Sequence, residues 1–277
     1  MIRGTTTLIA HLGFPTEAFK APLIYNPYFE QAGIDAVVVP MGVTADAYPQ
    51  FLKLLFRLSN IGGALVTMPH KVTTVALLDE ATPAVRVAGS CNAVRRAPDG
   101  RLQGDIFDGE GFVRAVVRKG RRVAGARVLV VGSGGAGAAI AASCAAAGAG
   151  ALSLFDLDAG AAEALGRRLR VRHPALAVTT GARDPAGCDI VVNATPLGMR
   201  DGDPLPIDAA RLDRAALVGD VVMKQELTPL LRAARDRGCA IQVGTDMLFE
   251  QIPAYLEFFG LPAATPEQLR AVARIEY

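Results

Sequence analysis

A glycine-rich turn limits the folds open to this chain more than any other feature of its sequence. In the segment VLVVGSGGAGAAIA, Gly132, Gly134 and Gly137 follow the spacing G-x-G-x-x-G, after a β-branched run and before an alanine-rich stretch. In that spacing the first glycine allows a tight turn, the second lets the backbone approach a pyrophosphate, and the third lets the helix pack closely on the strand. The phosphates would lie at the helix N-terminus. The predicted cofactor-binding turn consists of Gly132, Ser133, Gly134, Gly135, Ala136 and Gly137.

An acidic residue at the end of the next apolar run supports this interpretation. The segment LSLFD ends on Asp156, about 20 residues after the turn, where a carboxylate can bind the hydroxyls of an adenosine ribose. An arginine near that strand end would favour a 2′-phosphate, whereas Asp156, Leu157 and Asp158 would repel one. We therefore expect NAD to be favoured over NADP.

Apolar runs of strand length alternate with longer stretches of helical period along most of the chain. Examples are AVVVPMGV, followed by AYPQFLKLLFRLSN. This βαβ pattern predicts an α/β protein with two α/β domains. One is an N-terminal, mostly parallel sheet that forms a substrate domain, and the other is a Rossmann-type, doubly wound nucleotide-binding domain. We place the first at residues 1–108 plus 245–277, because the apolar helical segment LFEQIPAYLEFFG can pack back on it, and the second at 109–244.

Two finer features of the pattern make separate predictions. In the first domain, NAVRRAPDGRLQG places a Pro-Asp-Gly turn between two alternating runs, which predicts a hairpin at a sheet edge. In the second domain, five apolar runs separated by helical segments predict five strands.

The composition excludes several classes of function. The formal net charge is +2, and no basic block interleaved with aromatic residues supports a nucleic-acid partner. The four cysteines lie far apart and form no C-x-x-C, so we predict reduced thiols and no metal site. No stretch is typical of a leader or a membrane span. We expect a cytoplasmic monomer or homodimer that binds a small molecule.

Lys71 and Asp108 are the candidate catalytic residues. Hydride transfer at a carbinol needs a group that moves the hydroxyl proton. Lys71 follows the apolar run GGALVTMP at the end of a predicted parallel strand, where ligands of such sheets bind, and Asp108 lies in the glycine-rich segment GDIFDGEG between the domains. A lysine and a carboxylate that face one hydroxyl stabilise each other's charged forms. The alternative is a surface lysine and an aspartate in a turn.

The chain resembles the shikimate dehydrogenase family over nearly its full length. LVTMPHK resembles the family motif N-V-T-x-P-x-K, GSCNAV resembles G-A-x-N-T, and IFDGEG resembles N-T-D-G-x-G. In the second half VGSGGAG resembles the cofactor turn, NATPLGM resembles N-A-T-P-x-G-M, and GTDMLFEQ resembles the final motif.

The resemblance implies roles for particular residues. Lys71 and Asp108 would be the catalytic pair. The residues implied to contact or line the substrate are Thr67, Asn92 and Gln251. The residues implied to border the cofactor are Asn193, Thr195, Pro196, Gly244 and Met247.

The chain departs from the family at positions that would bind substrate. The family's H-S-x-S-P reads AFKAP here, which removes two serines that hold the substrate carboxylate. The substrate-pocket positions at which this chain carries a different residue are Phe19, Ala21, Leu65, Ile106, Phe107 and Met223. A pocket that lacks polar partners discriminates against a polar ligand. Shikimate is therefore expected to be a poor substrate, although Lys20 and Lys224 remain candidates to hold an anion by another geometry.

The predicted function is an NAD(P)-dependent oxidoreductase of the shikimate and quinate dehydrogenase type, acting on a cyclic hydroxy acid or related carbinol. Two alternatives stay open. One is an enzyme like methylenetetrahydrofolate dehydrogenase, which has a similar two-domain plan and a lysine in its cleft. The other is an NAD-binding sensor without catalysis, which kept the fold after losing its substrate contacts.

Overall fold

The computed structural model describes residues 2–277, which form two compact units. The first unit comprises residues 2–86, 90–107 and 251–276, and the second comprises 87–89, 108–250 and 277. Each contains one six-stranded sheet, so the predicted class of two α/β domains is confirmed. Within the described residues, every helix is too short or too polar to traverse a bilayer.

The first unit is built on a mixed sheet. Its strands are β1 (Thr7–Gly13), β2 (Ala36–Gly42), β3 (Ile61–Val66), β4 (Glu80–Ala81), β5 (Ala93–Arg96) and β6 (Leu102–Asp105). They lie in the order β2-β1-β3-β5-β6-β4, with β1 parallel to both β2 and β3. The carboxyl ends of β1 and β3 therefore lie side by side.

The second unit is built on a parallel sheet. Its strands are β7 (Arg127–Val131), β8 (Ala151–Phe155), β9 (Ala177–Thr180), β10 (Ile190–Asn193), β11 (Leu217–Asp220) and β12 (Ala240–Gln242). The order is β12-β11-β10-β7-β8-β9, so the chain reverses its direction across the sheet between β7 and β10. Ligands of doubly wound sheets bind at the strand ends beside such a reversal. The sheet has six strands where the sequence predicted five, because β9 was not identified.

The helices cover both sheets. In chain order they are α1 (Pro22–Ala32), α2 (Tyr48–Leu55), α3 (Lys71–Val75), α4 (Pro83–Ala88), α5 (Asp108–Arg118), α6 (Gly135–Ala146), α7 (Ala159–Arg172), α8 (Pro229–Asp236), α9 (Gly244–Phe258) and α10 (Pro266–Val272). Helix α1 starts with Pro22, whose missing N–H would be unpaired there anyway, and ends at Gly33 in a left-handed conformation with φ of 67°. The chain passes from the second unit to the first within α9, after residue 250.

The predicted hairpin is confirmed, but its position in the sheet differs. Strands β5 and β6 are antiparallel, and the Ala97 N–H donates to the Arg101 carbonyl across the Pro-Asp-Gly turn. The two-residue strand β4 pairs with β6 on its outer side, so the hairpin is one strand in from the edge. All four cysteines are buried free thiols, and burial raises the pKa of Cys91 and of Cys144 to about 12.

Candidate active site

The glycine turn of the second unit has the geometry that its spacing predicts. Gly132 has φ of +102°, and a Cβ on it would lie 2.7 Å from the Ala194 carbonyl oxygen. A Cβ on Gly137 would collide with the Gly132 carbonyl oxygen, so helix α6 packs directly on the turn. A Cβ on Gly134 would meet no atom within 4 Å. The turn is therefore tight on the protein side and open where a pyrophosphate would approach.

The end of β10 forms a polar network beside this turn. The Asn193 amide donates to Asp220 Oδ1 at 3.0 Å and to the Leu197 carbonyl at 3.0 Å, and the Thr195 hydroxyl donates to Asn193 Oδ1 at 2.7 Å. The Thr228 hydroxyl donates to Asp220 Oδ2 at 2.7 Å. Burial raises the pKa of Asp220 to about 6, against the opposing effect of these hydrogen bonds. The network fixes the loop that begins with Asn193 and includes Pro196.

Gly244 and Met223, two more predicted site residues, are neighbours in the second unit. A Cβ on Gly244 would lie 2.8 Å from Met223 Cγ and 2.7 Å from the Val222 carbonyl oxygen. Met247, one turn further along α9, is buried. Gly244 therefore permits a close approach of α9 to the chain after β11.

In the first unit, backbone pairing gathers several predicted residues at the strand ends. The Val66 N–H donates to the Asn92 carbonyl at 2.8 Å, and the Cys91 N–H donates to the Lys71 carbonyl at 2.8 Å. Lys71, the first residue of α3, thus lies beside Asn92 at the carboxyl end of β3. Thr67 is half-buried at the same strand end.

Asn92 and Gln251 are buried amides that each keep an unpaired polar atom. Asn92 Oδ1 accepts from the Phe107 N–H at 3.0 Å, whereas its Nδ2 has no partner. Gln251 Oε1 has none either. Tyr255, one helical turn after Gln251, donates its hydroxyl to the Asn92 carbonyl at 3.4 Å, so α9 brings both amides to one region. A buried polar atom without a partner costs about 1–3 kcal/mol, which is why such atoms call for an explanation.

The apolar replacements are largely core residues. Leu65, Ile106 and Phe107 are buried, and the Phe107 ring packs edge-on against Tyr255 at 4.8 Å between centroids. Ala21 is buried at the start of α1. They offer no polar atom to a ligand.

Phe19 and Lys20, which stand in the segment that replaces the family's serines, contact other parts of the first unit. A Cβ on Gly13, at the end of β1, would lie 2.8 Å from Phe19 Cζ. The Lys20 ammonium donates to the Glu276 carbonyl.

His11 lies among the predicted site residues of the first unit, although the sequence did not single it out. It lies on β1 opposite Leu65 of β3, and its ring stacks on Phe19 with centroids 4.1 Å apart. It is buried, and Nδ1 has no hydrogen-bond partner. Burial, and then the charge of Lys71, lower the pKa of His11 to about 3. Its position two residues before Gly13, at the end of a strand, was the available signal in the sequence.

Asp108 is the first residue of α5 and is 3% exposed. A Cβ on the next residue, Gly109, would collide with the Ala139 carbonyl of α6, so the start of α5 is fixed against α6. Asp108 belongs to the second unit and Lys71 to the first. Their pairing over one substrate stays a prediction.

Comparisons with known proteins identify what the chain resembles. A family model described as the shikimate dehydrogenase substrate binding domain matches residues 12–94. A shikimate dehydrogenase (NADP(+)) of Rhodospirillum rubrum is 35% identical over 279 residues, which cover 98% of this chain and 98% of the relative. Other curated relatives carry the same name.

Two solved structures are similar to this chain over nearly its full length. Shikimate 5-dehydrogenase from Listeria monocytogenes, in complex with shikimate and NAD, has a TM-score of 0.87 at 27% identity, over 98% of this chain and 97% of that one. Ligand-free 5-ketofructose reductase of Gluconobacter sp. strain CHM43 has a TM-score of 0.85 at 25% identity, over 98% and 99%.

The prediction that NAD is favoured over NADP is wrong, since the curated relatives are named for NADP(+). The structure offers a reason: Asp156 has a structural role, and an arginine that is distant in the sequence lies near the same strand end. The Asp156 carboxylate accepts from the Ser133 N–H at 2.6 Å and from the Asp158 N–H at 2.9 Å, so it shapes the turn. The Arg183 guanidinium lies 5.3 Å from the centre of the Phe155 ring. An arginine therefore does lie near the end of β8, but it comes from the segment that follows β9 and not from the residues next to Asp156 in the sequence.

Proposed function

Because the chain belongs to the shikimate dehydrogenase family, we propose that it is an NADP(H)-dependent oxidoreductase that transfers hydride between a carbinol carbon and the nicotinamide ring. The predicted class, an NAD(P)-dependent oxidoreductase of the shikimate and quinate dehydrogenase type acting on CH–OH donors, is confirmed by its relatives. They give no support to a methylenetetrahydrofolate dehydrogenase-like enzyme or to a sensor without catalysis.

The observation that carries the proposal is the cluster at the strand ends of the first unit. Lys71 and Asn92 are joined there through the backbone of Cys91, and Asn92 and Gln251 keep unpaired amide atoms. A buried polar atom without a protein partner calls for an explanation, and a ligand can supply the missing partner. Two amides and an ammonium suit a hydroxylated substrate, since an amide both donates to and accepts from hydroxyl groups and an ammonium donates to hydroxyl oxygens.

The residues of the second unit fit a dinucleotide. The open face of Gly134 and the N-terminus of α6 would hold the pyrophosphate, and Asn193, Thr195 and Pro196 would run along the nucleotide. Gly244 and Met247 would border the nicotinamide. When bound, the cofactor supplies or accepts the hydride. Arg183 would hold the 2′-phosphate, because it is a cation at the strand end where the adenosine ribose binds.

Lys71 and Asp108 would act on the carbinol proton. The Lys71 ammonium would donate a hydrogen bond to the carbinol oxygen and stabilise the negative charge that develops as the proton leaves. The Asp108 carboxylate would accept that proton during oxidation and return it during reduction. Thr67, Asn92 and Gln251 would orient the substrate.

The substrate is expected to differ from shikimate in its polar groups. Phe19 and Ala21 replace the serines of the family motif, and the Lys20 ammonium, a candidate partner for an anion, is bonded to the Glu276 carbonyl. A carboxylate would therefore lose water without gaining partners at this position. A cytoplasmic location and a monomeric or homodimeric state remain predictions from the sequence.

The proposal is tested by following NADPH absorbance with dehydroshikimate, 5-keto-D-fructose and other cyclic or chain ketones. Replacing Lys71 with Ala should lower kcat by about 10² or more and leave NADP⁺ affinity unchanged, because proton transfer and charge stabilisation contribute about that much. Lys53→Ala is the matched control, since Lys53 is exposed on α2. An unchanged kcat in Lys71→Ala would exclude the assigned role.

A further inference from the structure

We infer that His11 is a specificity-determining residue whose imidazole exchanges a hydrogen bond with a substrate hydroxyl or carbonyl group, and that the substrate is an uncharged, hydroxylated compound. The inference rests on the proposed function and specifies its substrate class. His11 lies outside every sequence motif that carries the family resemblance.

The location of His11 is that of a ligand-binding residue. Side chains alternate along a strand, so His11 and Gly13 share one face of β1, near its carboxyl end. On that face a Cβ on Gly13 would meet Thr67 and would lie 2.8 Å from Phe19 Cζ. His11 therefore lies in the same small region as Thr67, which precedes Lys71 by four residues in the chain.

The unpaired nitrogen of His11 is the second observation. His11 is 8% exposed and its Nδ1 has no partner, a property that it shares with Asn92 Nδ2 and Gln251 Oε1 in the same unit. His70 shows the opposite case. It is buried as well, but its Nε2 lies 2.8 Å from the Val43 carbonyl oxygen and its ring stacks on Tyr48 at 3.9 Å. The fold thus satisfies a ring nitrogen of one buried histidine and leaves a ring nitrogen of the other without a partner.

The surroundings of His11 select the kind of ligand. Burial, and secondarily the charge of Lys71, lowers the pKa of His11 to about 3. A neutral imidazole has one donor and one acceptor nitrogen, which suits a hydroxyl or carbonyl group, but it does not replace the two serine hydroxyls that hold a carboxylate in the family motif. The stacked Phe19 ring and buried Ala21 add no polar partner. These residues together favour an uncharged, hydroxylated ligand over a hydroxy acid.

The test compares shikimate with its methyl ester, in which one added methyl group removes the negative charge, and adds 5-keto-D-fructose as an uncharged ketone. The wild-type protein should turn over the methyl ester with a kcat/KM at least about tenfold above that of shikimate, the size expected for one mismatched polar group. Equal or better use of shikimate would overturn the substrate class.

The role of His11 is tested with His11→Ala and His11→Gln on the same probes. His11→Ala should lower kcat/KM for the preferred uncharged probe about tenfold, mainly through KM, because one hydrogen bond is lost. His11→Gln should recover most of that loss, since an amide also donates and accepts. His173→Gln, at the end of α7 in the second unit, is the matched control and should behave as wild type.

Three readouts separate the outcomes. A His11→Ala protein that binds NADP⁺ and melts like wild type, yet shows no change in kcat/KM, would overturn the role of His11. A Gln variant no better than Ala would do the same. If the wild-type protein binds NADP⁺ but turns over neither uncharged probe, the substrate class is wrong; if it oxidises no NADPH with any ketone and fails to bind NADP⁺, the proposed function itself fails.

Discussion

Asp220 is a buried carboxyl group, and its burial should make the free energy of unfolding depend on pH. It is 3% exposed, and burial raises its pKa from 3.8 to about 6 although Thr228 and Asn193 donate hydrogen bonds to it. The folded state therefore holds a proton more tightly than the unfolded state does. The contribution of this group to stability is full below about pH 3.8 and is lost as the pH rises through about 6.

We expect Asp220→Asn to remove this pH dependence. Relative to the variant, the wild-type protein should lose about 2 kcal/mol in free energy of unfolding between pH 4 and pH 7, since a shift of about two pKa units corresponds to about 3 kcal/mol in all and part of it is already lost at pH 4. Urea unfolding of both proteins at the two pH values measures it. Asp184→Asn is a control of opposite sign, because Arg211 lowers the pKa of Asp184 and its stabilising effect is lost toward acid pH. A parallel pH profile for wild type and Asp220→Asn would contradict the prediction.

Arg183 carries the prediction about cofactor choice. Arg183→Ala should raise KM for NADPH about tenfold or more and leave KM for NADH nearly unchanged, because only the former has the 2′-phosphate that a guanidinium can bind. Arg172→Ala, another exposed arginine of the same unit, is the control. Equal effects on both cofactors would indicate a structural role for Arg183.

Individual residues were predictable from the sequence when they lay inside a motif. Lys71, Asn92 and the three turn glycines are of this kind. The proposed roles of His11 and Arg183 rest instead on neighbours that the folded chain brings close: Leu65 and Phe19 for His11, and Phe155 for Arg183. A one-dimensional pattern does not contain such proximity.

At the scale of a secondary-structure element, the turn from β7 to α6 contains one glycine that the packing of the fold requires and another that we assign to cofactor binding. Gly134 has φ of −72°, which any residue adopts, and a Cβ on it would meet nothing within 4 Å. A Cβ on Gly137 would collide with the Gly132 carbonyl oxygen. The packing of the protein therefore requires glycine at position 137, whereas at position 134 only a bound ligand would require it.

We expect the two glycine substitutions to have different effects. Gly134→Ala should leave the melting temperature near that of wild type but weaken NADP⁺ binding about tenfold or more, because the methyl group fills the space for the pyrophosphate. Gly137→Ala should lower both the melting temperature and the affinity for NADP⁺, because overpacking destabilises the fold by about 1–3 kcal/mol. Thermal melting and fluorescence titration with NADPH measure the two effects. Loss of stability in Gly134→Ala would contradict the geometry of the turn.

Most elements were predictable from hydrophobic periodicity, and the exceptions have physical reasons. Strand β9 is four residues long, and its residues are half-buried or exposed, so it lacks the apolar run that indicates a strand. Strand β4 has only two residues and pairs with β6 through its backbone, so the hydrophobic periodicity of the sequence gives no sign of it.

At the scale of the whole molecule, the two units carry different parts of the predicted chemistry. The first holds His11, Lys71, Asn92 and Gln251, and the second holds the glycine turn. A ligand that binds one folded segment slows exchange of its amide hydrogens. NADP⁺ alone should therefore protect residues 131–137 and 193–196.

Hydrogen exchange with mass spectrometry measures this distribution. Residues 8–13 and 64–67 should be protected only after methyl shikimate is added with NADP⁺. Gly134→Ala at the same NADP⁺ concentration is the control and should show weaker protection of 131–137. Protection by NADP⁺ confined to residues 8–13 and 64–67 would contradict the assignment of the cofactor to the second unit.

The position of Arg183 beyond an outermost strand has an evolutionary consequence. Strand β9 is paired on one side only, with β8, and Arg183 follows it on an exposed segment that neither shapes the glycine turn nor belongs to the unit that holds Lys71. With Arg183 as the proposed ligand of the 2′-phosphate, a single codon change there would alter the preferred coenzyme while Lys71 and the glycine turn stay intact. Coenzyme choice could then evolve separately from the reactive groups.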